Sequence, residues 1–453
     1  MKRNAAIAAG RLQPPEYHRN FDEAKPPLEP HQALVDAGRC LFCYDAPCVE
    51  ACPTGIDIPS FIRKIGTGNL KGAAVDILSE NIMGGMCARV CPTEVLCEQA
   101  CVRNASEGKP VRIGLLQRHA TDWLLSRGVQ PFRRAAPSGK RVGVVGAGPA
   151  GLACAHRLAM LGHDAVVFEA RQKPAGLNEY GVAAYKTPHG FAQREVDFIL
   201  AVGGIEVRSG QALGRDLTLQ ELRRDFDAVF LGIGLAGTKT LGVPGEALAG
   251  VEDAVAYIER LRQTSDLATL PVGRRVVAIG GGNTAIDVAV QAKRLGAEDV
   301  TIVYRRGPDA MSATAHEQEF AQVNGVRIKH WAQPVRLVGE AGQLVAAEFE
   351  YTRLDAAGRL TGTGAMFSLE ADQVFKAIGQ LLVVDPLRDG ARQVLEMQGG
   401  KIAVDGERHT SLPGVWAGGD CIAGADLTVQ AVQDGKVAAH AIDRWLRAAR
   451  TLN

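Results

Sequence analysis

The sequence of 453 residues has few aromatic side chains, almost no net charge and no long apolar run. Aromatic residues make up 5% of the chain, and 51 basic residues are matched by 50 acidic ones. A net charge of +1 gives no field that would attract nucleic acid or an anionic membrane. No apolar stretch is long enough to cross a bilayer. We therefore expect a cytoplasmic protein that binds neither nucleic acid nor a membrane.

Several catalytic motifs are missing as well. The chain contains no Walker loop, no GxSxG elbow and no HExxH pair, so nothing supports hydrolysis or phosphoryl transfer. We assign no side chain as a catalytic acid, base or nucleophile. In contrast, the 52 glycines are abundant and apolar residues reach 46%, which is typical of an α/β protein with many tight turns. The length predicts about three domains.

The cysteines are distributed very unevenly. Eight of the ten fall in two short runs, and each run contains a Cys-Pro pair. Such density in a chain of this size indicates metal binding rather than disulfides, and the runs resemble those of two-cluster ferredoxins. Two tetrahedral zinc sites are the alternative. The runs comprise Cys40, Cys43, Cys48 and Cys52, then Cys87, Cys91, Cys97 and Cys101.

From residue 31 to about residue 125, the region that contains both runs, the pattern is helical. Five prolines among residues 1–30 predict an extended arm, and periodic apolar residues predict helices at 60–65 and 113–125. A basic linker with proline and glycine follows at 131–139. Beyond this linker the pattern changes twice to a strand, a glycine turn and a helix.

The first of these units carries a dinucleotide fingerprint. A strand at 141–145 leads into a glycine turn that opens a helix, and the next strand ends at Glu169. The turn allows backbone N–H groups and the helix N-terminus to approach a pyrophosphate, while Glu169 is placed to accept hydrogen bonds from a ribose. We therefore predict an FAD site. Its turn comprises Gly146, Gly148, Pro149, Ala150 and Gly151.

The second unit has the same order but a different ending. A strand at 275–279 precedes a glycine turn, and the following strand ends in Arg305-Arg306 rather than in an acid. Arginine at this point can bind a 2′-phosphate, which favours NADP over NAD; a solvated pair of side chains is the simpler interpretation. Here we predict the nicotinamide nucleotide, at Gly282, Asn283, Thr284 and Ala285.

Further cofactor contacts are predicted near the C-terminus. Gly419 and Asp420 can approach the ribityl chain of a flavin, and a helix starting at Thr428 and Val429 would direct its positive end at the flavin ring. Cys154 and Cys421 belong to no CxxC pattern, so no redox disulfide is available and electrons are expected to leave through the clusters.

Two nucleotide-binding folds in one chain indicate that one is nested in the other. We predict that the chain leaves the first domain near 241–246 and returns at 372–379, where Ala377 and Gly379 join the cofactor contacts. The predicted fold is α/β: a helical iron–sulphur domain with two [4Fe–4S] clusters at 1–135, a discontinuous Rossmann-like FAD domain at 136–246 and 373–453, and a Rossmann-like NAD(P) domain at 247–372.

Taken together, the cysteine runs and nucleotide units resemble the family that contains the small subunit of glutamate synthase and the matching half of dihydropyrimidine dehydrogenase. The stretch from Gly176 through Leu177 to Lys186, with its Asn-Glu and Ala-Ala pairs, is more similar to the separate NAD-side subunit of bacterial dihydropyrimidine dehydrogenases. The resemblance implies that Gly176 and Leu177 lie at the flavin and that Lys186 binds a cofactor, and it favours NAD(H), with NADP(H) as the alternative.

The same resemblance implies a ligand assignment that spacing alone does not give. One cluster would be held by Cys40, Cys43, Cys48 and Cys101. The other would be held by Cys52, Cys91 and Cys97, with Gln117 as an unusual fourth ligand and Cys87 left as a free thiol. Whether Gln117 or Cys87 completes the second cluster stays open.

The family further implies an electron-input subunit. It would pass electrons from NAD(P)H through FAD and the clusters to an FMN-containing subunit that reduces uracil or thymine, in a heteromer expected to be a heterotetramer. The alternatives are the small subunit of glutamate synthase, a stand-alone NAD(P)H:ferredoxin-type reductase, and a zinc-stabilised scaffold with degenerate nucleotide folds.

Overall fold

The computed structural model describes residues 6–389, 392–393 and 395–450. Residues 1–5 of the predicted cluster domain and 451–453 of the predicted FAD domain lie outside this range. The chain forms two compact units. The first comprises Met1–Ala24, Tyr180–Pro188 and Thr238–Gln380, and the second comprises Lys25–Glu179, His189–Gly237 and Leu381–Asn453.

The second unit begins with helices, as predicted. Between residues 25 and 140 the described chain contains helices and a single 3₁₀ turn but no strand. The amphipathic helix Ile58–Gly66 shows the reason for this fold: its Ile58, Phe61, Ile62 and Ile65 recur at helical spacing and are all buried. The helices are Pro30–Ala37, Pro47–Glu50, Ile58–Gly66, Leu70–Glu80, Gly84–Val90, Val102–Glu107 and Ile113–Ser126.

A five-stranded parallel sheet follows in the same unit. Its spatial order is Val415–Ala417, Ala228–Leu231, Arg141–Val145, Asp164–Glu169 and Ile205–Ser209. The central strand is almost wholly buried, as expected for a parallel sheet covered on both faces. The helices of this part are Pro149–Met160, Phe191–Leu200, Leu219–Asp225 and Thr428–Arg450, with a short helix at Leu177–Tyr180. Short strand pairs are Arg388–Asp389 with Arg392–Gln393 and Met397–Gln398 with Lys401–Ile402.

The first unit also contains a five-stranded parallel sheet, ordered Arg327–Lys329, Asp299–Val303, Arg275–Ile279, Gln373–Lys376 and Val251–Asp253. Its helices are Ala254–Gln263, Asn283–Arg294 and Ala315–Val323. A separate antiparallel sheet of Ala332–Glu340, Gln343–Leu354 and Leu360–Glu370 packs on it through apolar side chains such as Leu337 and Phe349. Short strands at Gly237–Thr238 and Gln380–Leu381 lie where the chain passes between the units. The predicted domain boundaries remain a prediction.

The prediction of an extended N-terminal arm is wrong. Residues 14–20 form a helix, Pro14–Asn20, and Tyr17 and Phe21 are buried in the core of the first unit. The strand Ile7–Ala8 pairs antiparallel with Val272–Gly273. The prolines led to the wrong prediction because proline is favoured in the first turn of a helix. A backbone N–H in that turn has no intrahelical acceptor, so its absence in proline removes no hydrogen bond.

In the second unit, one buried acid makes stability depend on pH. Burial raises the pKa of Glu195 to about 7, even though its carboxylate accepts the Met86 N–H (2.9 Å) and lies near Arg89.

Within the described ranges, every helix is too short or too polar to span a bilayer.

We expect Glu195→Gln to weaken the decline in stability between about pH 5 and about pH 7. The native state holds this proton up to its raised pKa, whereas the unfolded chain releases it near 4.5, so the native state loses stability as pH rises between the two values. The loss is about 3 kcal/mol for a shift of this size. Thermal midpoints of both proteins, measured anaerobically across this range, check it; parallel curves would contradict it.

Candidate functional site

Four strand ends meet at one edge of the parallel sheet in the second unit. Val145 is in register with both Phe168 and Leu231, and Leu231 is in register with Ala417. Because the strands are parallel, the residues that follow them lie side by side at the carboxyl edge, where α/β proteins bind ligands. These residues are Gly146, Glu169, Gly232 and Gly418.

The predicted FAD turn forms a cradle built from backbone. Gly146 has a φ of +93°, and a Cβ there would lie 2.3 Å from the Gly232 carbonyl oxygen. Gly148 is the N-cap of helix Pro149–Met160, and a Cβ on Gly176 would lie 2.9 Å from the Gly148 Cα. Glycine at these positions allows the backbone segments to pack in direct contact, and this packing holds the turn at the helix N-terminus in a form that fits the pyrophosphate of a dinucleotide.

Glu169 stabilises this cradle. One of its carboxylate oxygens accepts the Ala147 N–H at 2.8 Å, and the other accepts the Arg171 N–H at 2.9 Å. Each oxygen keeps further acceptor capacity, so the carboxylate can still accept a ribose hydroxyl as predicted. Ala175, which precedes Gly176, has a φ of +95° and is held by a bond from its N–H to the Ala147 carbonyl (2.8 Å). This strained backbone is typical of a functional loop.

The C-terminal motif lies on the same edge. Gly419 has a φ of +75°, and its N–H is accepted by Asp434 at 3.0 Å. Burial raises the pKa of the neighbouring Asp420 to about 6, with Asp426 and Asp434 adding to the rise. Asp434 was not predicted, because its position in the middle of a helix gives no sequence signal.

Thr428 begins the 23-residue helix Thr428–Arg450, as predicted, with Val429 beside it. The Thr428 hydroxyl donates to the Asn178 side-chain oxygen at 2.9 Å, and Asn178 is almost fully buried. The start of this helix is therefore tied to the loop that carries Gly176 and Leu177. A positive helix end fixed in this way can stabilise negative charge on a bound group.

In the first unit the predicted nucleotide residues also share one edge. Ile279 is in register with Val303 and Lys376, so the turn of Gly280–Gly282 lies beside Ala377. A Cβ on Gly280 would lie 2.2 Å from the Ala377 carbonyl oxygen, and Gly379 has a φ of +104°. Gly282 is the N-cap of helix Asn283–Arg294, whose first turn holds Thr284 and Ala285. This arrangement fits a second pyrophosphate.

Arg305 and Arg306 follow the adjacent strand and are exposed. Within the described part of the chain, neither guanidinium forms an ion pair. Their main-chain carbonyls accept bonds from Thr352 (2.8 Å) and Trp331 (3.2 Å), which fixes the backbone while the side chains stay free. Both groups are therefore available to an anionic ligand.

Lys186 lies in the first unit and is engaged by two acids. Its ammonium is 2.9 Å from Asp287 Oδ1 and 2.9 Å from Glu317 Oε2. Asp287 belongs to the helix that follows the second glycine turn. Burial alone would lower the pKa of Lys186, but the two carboxylates outweigh it and raise the pKa. No local pattern indicates these partners, and the predicted contact of Lys186 with a cofactor stays a prediction.

The first predicted set of cluster ligands lines one pocket that is partly open to solvent. Four thiols face it, and its remaining walls are mostly apolar, with Ile58, Ile62 and Ile113 among them. Thiolates within an apolar wall suit a soft iron–sulphur centre. The four thiols are those of Cys40, Cys43, Cys48 and Cys101.

The second predicted set is more deeply enclosed. Burial raises the pKa of Cys91, and the neighbouring Cys87, Cys97 and Cys52 raise it further. Burial likewise raises the pKa of Cys97, with Glu98 and Cys52 adding to it. The structure therefore places Cys52, Cys91 and Cys97 within electrostatic reach of one another, as a shared cluster requires.

Gln117 is buried in helix Ile113–Ser126, and its amide nitrogen donates to the Gly84 carbonyl at 2.7 Å. This bond leaves the amide oxygen, the atom that could bind iron, without a donor among the described residues. Cys87 is also fully buried, close to Cys91. Cys87 is therefore near the second set, while Gln117 contacts the first residue of helix Gly84–Val90, the helix that carries Cys87 and ends next to Cys91. Among the described residues, no three His, Cys, Asp or Glu side chains converge on a point that would hold a single metal ion.

Two protein families match different parts of the chain. Residues 17–129 match the family described as dihydropyrimidine dehydrogenase domain II, 4Fe–4S cluster. Residues 140–435 match the pyridine nucleotide-disulphide oxidoreductase family. The 4Fe–4S family match thus covers every cysteine of the two runs.

Two curated relatives span nearly the whole chain. The NAD-dependent dihydropyrimidine dehydrogenase subunit PreT of Escherichia coli K12 is 35% identical over 429 residues, covering 95% of this chain and 98% of that protein. The glutamate synthase [NADPH] small chain of the same organism is 33% identical, covering 94% of each. Both names denote subunits of larger enzymes.

Among solved structures, FprA of Mycobacterium tuberculosis in complex with NADPH aligns with a TM-score of 0.58 at 19% identity, over 69% of this chain and 86% of that chain. It confirms the predicted α/β fold of nested nucleotide-binding domains. This chain is a flavin-dependent oxidoreductase that uses FAD, a nicotinamide nucleotide and 4Fe–4S chemistry, and it belongs to the pyridine nucleotide-disulphide oxidoreductases that carry an N-terminal 4Fe–4S domain, the family of these two relatives.

Proposed function

We propose that this chain is the electron-input subunit of a pyrimidine-reducing complex. It would oxidise NADH and deliver electrons to an FMN-containing partner that reduces the 5,6 double bond of uracil or thymine, with two copies of each subunit in the complex. The observation that carries the proposal is that one compact unit holds both the FAD edge and the two sets of thiols. The name of the E. coli relative supports the substrate class.

The roles proposed for the residues follow from the contacts described above. Gly146 and Gly176 let the turn pack closely against neighbouring backbone, so that Gly148 at the helix N-terminus would hold the FAD pyrophosphate, and Glu169 would bind the ribose. Asp420 would hold the ribityl chain, and the helix that begins at Thr428 would stabilise negative charge on the flavin. The chemistry that the bound groups would supply is acceptance of hydride by FAD and one-electron transfer by the clusters. No side-chain acid or base is required.

For the nucleotide, we propose NADH, as in the name of the E. coli relative. The exposed Arg305 and Arg306 favour NADPH as the second candidate, because two free guanidiniums can bind a 2′-phosphate. Stopped-flow flavin reduction with each nucleotide decides between them. NADH should be the faster donor, and Arg305→Ala with Arg306→Ala should leave its apparent KM unchanged; faster reduction by NADPH would overturn this choice.

Cys48→Ala should remove one of the two proposed clusters and lower bound iron to about half. Cys48 lines the pocket of the first set, and an alanine supplies no ligand there. Iron analysis and EPR of the reduced, anaerobically reconstituted protein check this. Cys154→Ala is the control, because Cys154 is buried in helix Pro149–Met160 outside both runs and should leave the iron content unchanged.

Gln117→Ala should remove or alter the second cluster only, whereas Cys87→Ser should leave both intact. The expectation rests on the amide oxygen of Gln117 being free of hydrogen-bond donors. The two variants are compared by the EPR spectra of the reduced proteins. If Gln117→Ala retained two clusters with unchanged spectra and Cys87→Ser lost one, Cys87 would be the fourth ligand instead.

The division of labour between subunits is tested with the purified chain. Alone, it should reduce an artificial acceptor with NADH but should not reduce uracil, and it should gain uracil reduction when its partner is added. Direct uracil reduction by the isolated chain would refute the proposal.

The rival functions differ in the partner that they require. A glutamate synthase small subunit would copurify anaerobically with an amidotransferase, and a stand-alone reductase would serve a soluble ferredoxin without any stable partner. Capture of a pyrimidine-reducing flavoprotein supports our proposal, and capture of an amidotransferase overturns it.

A further inference from the structure

One of the proposed cluster ligands has a hydroxyl group beside its sulphur. Thr54 Oγ1 lies 3.3 Å from Cys52 Sγ, within the turn that is closed by a bond from the Gly55 N–H to the Cys52 carbonyl (2.9 Å). Thr54 is buried, with 2% of its surface exposed. In the described part of the chain, no other proposed cysteine ligand has a side-chain hydroxyl at hydrogen-bond distance.

The direction of this hydrogen bond follows from the chemistry of the ligand. A cysteine that binds iron does so as a thiolate and carries no proton. The hydroxyl of Thr54 is then the only possible donor, and the sulphur of Cys52 is the acceptor. A bond to a charged acceptor in a buried place is stronger than one between neutral groups.

A lysine from a distant part of the chain holds Thr54 in place. Lys436 Nζ donates to the Thr54 carbonyl oxygen at 2.9 Å, to the Glu80 carbonyl oxygen at 3.1 Å and to a Glu80 carboxylate oxygen at 2.7 Å. Only 14% of the Lys436 side chain is exposed. Lys436 belongs to helix Thr428–Arg450, the same helix whose first residue faces the FAD edge. One ammonium group thus joins the flavin side of this unit to the loop of a proposed cluster ligand.

The hydrogen bond from Thr54 favours the reduced form of a cluster. Adding one electron makes the cluster more negative, and a hydrogen bond to one of its sulphurs stabilises that state. The charge of Lys436 is paired with Glu80, so Lys436 contributes by holding Thr54 in place. We propose that Thr54, positioned by Lys436, raises the reduction potential of the cluster bound by Cys52. This inference rests on the proposed function, because it takes Cys52 as an iron ligand. Its consequence is that the cluster whose loop contacts the FAD helix accepts an electron more readily.

The test is a redox titration of the loaded, full-length protein followed by EPR. Thr54→Val removes the hydroxyl at nearly constant volume, and it should lower the midpoint potential of one cluster signal while the other stays unchanged. We expect a shift equivalent to about a tenfold change in the equilibrium constant for reduction, which is about 59 mV for a one-electron couple. Thr54→Ser keeps the donor and should restore the native value. Lys436→Met should lower the same midpoint.

Several results would overturn the inference. Unchanged midpoints in both Thr54→Val and the smaller Thr54→Ala would do so, and so would loss of the cluster from both, because the hydroxyl would then be required for assembly rather than for the potential. Thr301→Val, a buried threonine in the first unit, is the control and should move neither midpoint. If the native protein itself lacked a second cluster signal, the proposed cluster content would fail and this inference with it.

Discussion

Gly146→Ala should yield a protein that has lost its FAD. The substitution places a side chain where φ is +93° and where a Cβ would lie 2.3 Å from the Gly232 carbonyl oxygen. The obstacle is backbone in the adjacent strand end and cannot rotate away, so the turn must move and its N–H groups must leave the pyrophosphate position. We expect bound FAD to fall to less than about a tenth, since displacement of the turn costs well over 1.4 kcal/mol of binding free energy. Flavin absorbance after gel filtration measures it.

The matched control is Gly139→Ala. Gly139 has a φ of +77°, so the alanine meets a similar backbone penalty, but no atom lies within 4 Å of its Cβ position. This variant should keep its FAD and its NADH-dependent reduction of an artificial acceptor. Full FAD retention by Gly146→Ala, or equal FAD loss from both variants, would show that the close approach to Gly232 is not what the site depends on.

The strands and turns of both nucleotide units could be predicted from the sequence because their signals are local. Residues 141–145 and 275–279 were predicted as strands, and the structure has strands at Arg141–Val145 and Arg275–Ile279. In each, a run of buried β-branched residues stops at a glycine that the turn requires. The helix predicted at 113–125 is Ile113–Ser126 for a similar reason, since its apolar residues recur at helical spacing.

The structure of the N-terminal segment could not be predicted because the residues that it contacts are far away in the sequence. Arg11 donates to the Val272 carbonyl oxygen at 2.9 Å, and Asn20 donates to the Arg294 carbonyl oxygen at 2.9 Å. Neither contact can be recognised from the neighbouring sequence. The prolines can be recognised, but they indicated the wrong structure. Tyr17 is buried in the core of the first unit, and the burial of its ring stabilises this segment.

The same distinction applies to the candidate site. Cysteine runs, glycine turns and Glu169 could be read from the sequence because the residue types themselves carry the chemistry. The residues that position them could not. Asp434 at the Gly419 turn, Asn178 at Thr428 and Lys436 at Thr54 are ordinary polar residues until the fold brings them together. Their common role is to hold backbone or side-chain groups of the site at fixed distances.

Lys186→Met should destabilise the first unit by about 3–5 kcal/mol, the cost of removing one partner from a buried ion pair. The ammonium has two carboxylate partners, Asp287 and Glu317, with side chains that are 8% and 14% exposed. Burial already raises the pKa of Asp287, and Lys186 is the group that offsets it. Without the lysine, two like charges remain in a site that water reaches poorly. Thermal unfolding followed by circular dichroism measures the loss.

A less buried pair provides the comparison. Lys64 lies 2.6 Å from Asp76, but the two side chains are 35% and 20% exposed, so Lys64→Met should cost less than about 1 kcal/mol. Adding Asp287→Asn and Glu317→Gln to Lys186→Met should recover much of the stability, because the uncompensated charges are then gone. Equal losses from Lys186→Met and Lys64→Met, or no recovery in the triple variant, would mean that packing rather than charge holds Lys186. A stable Lys186→Met with slowed flavin reduction would instead assign Lys186 to the cofactor contact that its sequence position predicts.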